Sequence, residues 1–214
     1  MALDTGFLKK VTGGMSRKKQ EEVSVITPEQ AGCIPVRSAL KAVYYLMASD
    51  DAVYQEEEEQ FMAIGQALDA SFEENHDAIV AECRAYLKQA ASREEYADRI
   101  MQGVKDALTA PFFSDAMVIL PKLLLWNLMT IAGSDGHFDG EEKKLVDYAA
   151  SVMKVDETVY LELQNSFLTL MDLEKEAQWL KSTDKPYMMI ETMVNEIADR
   201  KNVIFEHTQL LLAE

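Results

Sequence analysis

Cysteine, proline and glycine are all scarce in this chain, with 2, 5 and 9 copies in 214 residues. Two cysteines cannot build a disulfide framework, and Cys33 and Cys83, each isolated in an apolar helical context, are expected as reduced core thiols of a cytoplasmic protein. So little proline and glycine, with 48% apolar and 27% charged residues, leaves a folded, helix-leaning chain. Basic residues are also short, 21 against 37 acidic ones for a formal net charge of −16. A field of that sign repels nucleic-acid phosphates and attracts cations and basic partners, so no nucleic-acid partner is expected. The N-terminus lacks the apolar stretch and cleavage site of a secretory signal. From Ala116 to Gly133 the chain is nearly apolar, but Pro121, Lys122 and Asn127 interrupt it, which predicts a central buried helix rather than a membrane span. No phosphate-binding glycine loop, zinc motif or nucleophile elbow is present, and no enzyme activity is expected.

What is present is helical periodicity. Strand-like alternation is absent from the pattern, and an all-α fold of roughly eight to ten helices is expected. Residues 1–26 read as a basic flexible arm. Phe7, Leu8 and Val11 alternate there with Lys9 and Lys10, so weak contact with an anionic membrane surface is one reading and a solvated tail the other. Thr27-Pro28 predicts a helix start, and Pro35 a break or restart. From Val36 to Ala48, Leu40, Val43, Tyr44 and Met47 share one helical face. Ser71-Phe72-Glu73-Glu74 and Ser92-Arg93-Glu94-Glu95 both read as capping boxes, and Asp156 as a further cap. Later helices are predicted over roughly 172–181 and 186–212. The twelve methionines, Met188, Met189 and Met193 among them, read as pliable core packing. Residues 27–214 are expected to form one helical domain built from two repeats, about 36–110 and 121–195, with a C-terminal helix.

The repeat rests on an acidic segment that occurs twice, Ser49 to Glu57 and Ser134 to Glu142, aligned without a gap at an offset of 85 residues. Each copy separates two apolar helical runs and begins the second with carboxylates. Clustered oxygen ligands suit hard divalent cations such as calcium or magnesium better than zinc. An EF-hand is excluded, because His137 stands at loop position 3 and Val146 at position 12, where a bidentate glutamate is needed. Gly136 gives the second loop access to positive φ. Asp139 and Glu142 also fit an N-cap and capping box that require no metal. Asp135 has no such role, and Asp50 and Asp135 carry most of the functional expectation. The residues expected to hold a cation are Asp50, Glu57, Asp135, Asp139 and Glu142. The competing expectation is an acidic face that docks a basic or membrane-associated protein partner without metal. Glu73-x-x-His76 is half of a di-iron pattern and reads as helix surface.

The stretch from Ala132 to Lys143 resembles the TerB family of tellurite-resistance proteins, matching its Ser-Asp-Gly-x-apolar loop followed by acidic residues, a glutamate and a lysine. The first copy departs from that pattern by lacking the glycine and the lysine. The resemblance covers residues 1 to about 155 and implies an all-helical, internally duplicated domain with acidic residues on one surface. It further implies a role in tellurite or other stress resistance, metal-dependent sensing, assemblies that include a membrane partner, and no known enzymatic activity. Residence in the cytoplasm, peripheral at the inner face of the membrane, follows as an expectation.

Overall fold

In the computed structural model, residues 32–50, 55–111, 117–138 and 140–213 are described. The basic arm, the helix start at Thr27-Pro28 and Asp139 lie outside them. Pro35, at φ −57° and ψ 133°, turns the chain from an extended residue pair into helix α1, Val36–Met47. Nine of its twelve residues are buried, because α1 is packed on several sides at once. A single 3-10 turn, Ala48–Asp50, closes it. Helices α2 (Gln55–Leu68), α3 (Phe72–Leu87) and α4 (Arg93–Leu108) follow, then α5 (Pro121–Ala132) and α6 (Gly140–Val152). Helix α1 packs on α2, α3, α4 and α5, and α5 packs in turn on α2 and α6. Pro121 opens α5 at a position where the missing N–H costs nothing. Ten of the twelve α5 residues are buried, as expected for a central helix. Among the described residues no helix is long and apolar enough to cross a membrane.

The fold is all-α, as the periodicity predicts, with one addition. Ile34–Pro35 (β1) and Val118–Ile119 (β2) form a two-residue antiparallel pair, Ile34 opposite Ile119, extended by the Val36 N–H donating to the Met117 carbonyl at 2.9 Å. Two residues are too few for alternation to be visible in a sequence. Cys33 accordingly precedes β1 rather than sitting in a helix, and is half-buried. Cys83 on α3 is fully buried, and that burial pushes its thiol up to about 11.

The caps divide sharply. Ser92 is extended and its Oγ accepts from the Glu95 N–H at 3.1 Å, while Glu95 accepts from the Ala91 N–H at 2.8 Å. Those contacts, first the Ala91 N–H and then the Arg99 guanidinium, hold the Glu95 carboxyl below the usual range. Asp156 caps as expected, accepting from Thr158 and Val159. Ser71 does not. At φ −97° and ψ 13° its hydroxyl makes no capping bond, and its own N–H donates to Asp69. Helix α6 ends on Lys154 at φ 55°, with the Val155 N–H reaching back to the Ala150 carbonyl.

The chain divides into two compact units that meet in sequence between Val155 and Asp156. The second consists of α7 (Glu157–Lys181) and α8 (Tyr187–Ala213) packed on each other. Leu173, Ala177, Leu180 and Ile197 form its core, with Val194 and Ile204 against them. The helix predicted over 172–181 is the end of α7, which runs unbroken for 25 residues because no glycine or proline interrupts it. Helix starts fall at 36, 55 and 72 and again at 121, 140 and 157, the same 85-residue spacing that separates the acidic segments.

Candidate functional site

The second acidic loop leaves α5 through two tight turns, with the Ser134 N–H donating to the Ile131 carbonyl and the Gly136 N–H to the Gly133 carbonyl. Gly136 adopts φ 87°, the left-handed region that a residue with a Cβ enters at a cost. Asp135 Oδ1 accepts from the His137 N–H at 2.7 Å, and Oδ2 lies 3.6 Å from His137 Nδ1. The expectation that Asp135 lacks a local structural role is therefore corrected: it closes an Asx turn, the ordinary work of an aspartate beside a glycine. In the first loop, the Tyr96 hydroxyl of α4 donates to the Ala48 carbonyl at 3.0 Å and ties down the end of α1. The Asp50 side chain, like Asp139, lies outside the described residues.

Glu57 and Glu142 stand at matching positions, each the third residue of its helix, and both are buried, at 4% and 6% exposure. Their neighbours Glu58, Glu59 and Glu141 are exposed. A carboxylate costs several kcal/mol to bury without compensation, of order 3–5 when a partner is removed. The positive end of the helix dipole offsets part of that cost, and both residues have interaction partners.

These two glutamates belong to a larger set. Among the described residues of the first unit, the buried polar side chains are Glu57 and Gln60 on α2, Asn127 and Thr130 on α5, Ser134 just beyond α5, and Glu142 on α6. Gln60 follows Glu57 at i+3, and Thr130 and Ser134 follow Asn127 at i+3 and i+7, spacings that keep each group on one helical face. Their helices are the ones that pack around α5. Among the described residues, the side-chain amides of Gln60 and Asn127 and the Ser134 hydroxyl find no hydrogen-bond partner. Carboxylate, amide carbonyl and hydroxyl oxygens are the donor types that hard cations take. Among the described residues no group of three or more His, Cys, Asp or Glu could hold a metal ion on its own.

The remaining expectations resolve locally. His76 is not simple helix surface: its ring lies against Phe61 and Phe72 at 5.8 and 5.5 Å, and Nδ1 faces Asp77 at 3.0 Å. Met188, Met189 and Met193 are exposed, contrary to the core packing expected of them. Gln60 and Asn127 escaped the sequence reading. The signal for both was present, an uncharged polar residue on an otherwise apolar helix face.

The family model described as tellurite resistance protein TerB matches residues 37–164, which takes in both acidic segments and the whole α2, α5 and α6 arrangement. The chain belongs to the TerB family. The TerB match starts within α1 and ends within α7, so it leaves out the basic arm that the resemblance was expected to include and runs slightly past residue 155. Curated proteins and solved structures give no match.

Proposed function

We propose that this TerB-family protein is a non-enzymatic stress-response protein, for tellurite or metal stress, that binds a divalent cation, calcium or magnesium, through its two acidic helix-loop-helix segments. The observation that carries the reading is the matched burial of Glu57 and Glu142 at equivalent points of the two segments. Two segments related by duplication each supply one shielded carboxylate, and Gln60, Asn127 and Ser134 offer neutral oxygens from the same packed helices. In this reading Asp50, Asp135 and Asp139 shape the loops and supply outer negative charge, while the buried glutamates hold the ion. Calorimetric titration of calcium and magnesium into the full chain tests it, with Glu57→Gln and Glu142→Gln together expected to remove binding. A native protein that binds neither ion sinks it.

A second reading is favoured by the exposed carboxylates Glu58, Glu59 and Glu141 beside the buried pair. They present an acidic surface to a basic or membrane-associated protein partner in the cytoplasm, with no metal. Affinity for such a partner falls as salt rises, and charge reversal at these three positions abolishes it.

A further inference from the structure

Gln60 and Asn127 are 1% and 0% exposed, and among the described residues neither the amide oxygen nor the amide nitrogen of either side chain has a hydrogen-bond partner. Leaving such groups unpaired in a protein interior is costly, and native structures keep few of them. Packing does not require them here. Gln60 stands beside the buried Phe61 on α2, and Asn127 lies in a run of α5 that includes Leu124, Trp126, Leu128 and Met129, all buried. Apolar side chains of similar shape would fill either place without the polar cost.

Their surroundings supply a reason. Gln60 follows Glu57 by one turn on the same face of α2, which sets its amide beside a carboxylate that is itself buried. Helix α5, which carries Asn127, packs on α2. Two kinds of atom are left over, amide oxygens that only accept and amide nitrogens that only donate. A cation held with a carboxylate satisfies both kinds at once. It takes the amide oxygens as ligands, and the amide nitrogens donate to the carboxylate oxygens around it.

We infer that Gln60 and Asn127 are neutral ligands of the ion held at Glu57, and that this ion is calcium rather than magnesium. The inference rests on the cation reading above and extends it to the identity of the ion. Among the described residues no group of three or more His, Cys, Asp or Glu could hold a metal ion on its own, so neutral oxygens have to complete the ligand set. They raise the oxygen count without adding carboxylates that repel one another. Calcium accepts about six to eight oxygens in an adaptable arrangement, with amide carbonyls among its ordinary ligands, whereas magnesium demands a near-ideal octahedron and keeps several of its waters. Glu57, Gln60 and Asn127 are all closed off from solvent, which favours the ion that exchanges its water for protein oxygens. Calcium also relieves the unpaired amides, so its binding stabilises the first unit.

The full chain is titrated with calcium chloride and with magnesium chloride by calorimetry, together with Gln60→Met, Asn127→Leu and the two combined. The parent is expected to bind calcium about tenfold or more tightly than magnesium, and the double variant to lose about tenfold or more in calcium affinity. Without ion, the variants are expected to unfold at the same urea concentration as the parent or a higher one, because apolar groups replace unpaired polar ones. Parental calcium affinity in the double variant overturns the inference and assigns the amides to an ordered water. Magnesium bound by the parent as tightly as calcium overturns it too, and that comparison needs no substitution, so it decides even where a variant fails to fold. Either of these results leaves the cation reading standing. A parent that binds neither ion removes both.

Discussion

Replacing Gly65 by alanine should destabilise the first unit, although alanine is the better helix former. Gly65 lies in α2, where a Cβ would sit 2.2 Å from one ring carbon of Phe72 and 2.4 Å from two others. Carbon atoms in contact rest about 3.5–4.0 Å apart, so the ring has to move by more than an ångström. It has nowhere to go. Phe72 is fully buried and held edge-on by Phe61, at 5.4 Å and 86°, and by His76. Overpacking of this kind costs about 1–3 kcal/mol, and the helix-propensity gain of about 1 kcal/mol offsets part of it. An approach this close belongs at the upper end of that range, so a net loss of about 2 kcal/mol is expected, read from urea unfolding followed by the emission of the buried Trp126. Phe72→Leu in the Gly65→Ala background should recover part of the loss, a coupling of about 0.5–3 kcal/mol. A Gly65→Ala protein as stable as its parent would refute the close approach of α2 and α3, and with it the placement of Glu57 and Gln60 on α2.

The two serine caps make a paired test. Ser92→Ala removes an observed bond to the Glu95 N–H and should cost about 1 kcal/mol in denaturant, whereas Ser71→Ala, which removes none, should cost only a few tenths. On α3, the Lys41 ammonium, through its hydrogen bond, and then Arg37 hold the Glu82 carboxyl below the usual range, with partial burial opposing them. Because the folded value is depressed, the stability it contributes is fully present above the unfolded value of about 4.3 and is lost as pH falls through the folded one. Glu82 is half-exposed, so solvent screening keeps the effect small. Carboxyl NMR titration should find Glu82 titrating below its ordinary value in the parent and returning towards it in Lys41→Met.

Much of the fold could be read directly from local rules. The faces through Leu40, Val43, Tyr44 and Met47, the proline at the start of α5 and the caps at Ser92 and Asp156 are set within a turn or two of sequence, and each is where the pattern puts it. The failures share a cause. Ser71 has the sequence of a cap, but Asp69 takes its N–H and the backbone settles where the hydroxyl cannot reach. Met188 and Met189 have core chemistry, yet they lie on the first turn of a hairpin where only Ile190 meets the interior. At the acidic loops, charge pattern singled out Asp135, which proves to fold the loop. It also named Glu57 and Glu142 without showing that they are the shielded pair. A local signal marked Gln60 and Asn127 as polar residues on buried helix faces, but which helices bring those faces together around α5 is a long-range fact that no local spacing encodes.

The most direct test of cation binding is calorimetric titration of calcium and of magnesium into the parent and into Glu57→Gln/Glu142→Gln, with circular dichroism to confirm that both remain folded. Saturable binding of one ion by the parent and none by the variant is the expected result, with Asp135→Asn retaining most of the affinity. Absence of binding in the parent, or binding that survives loss of both buried glutamates, would contradict it.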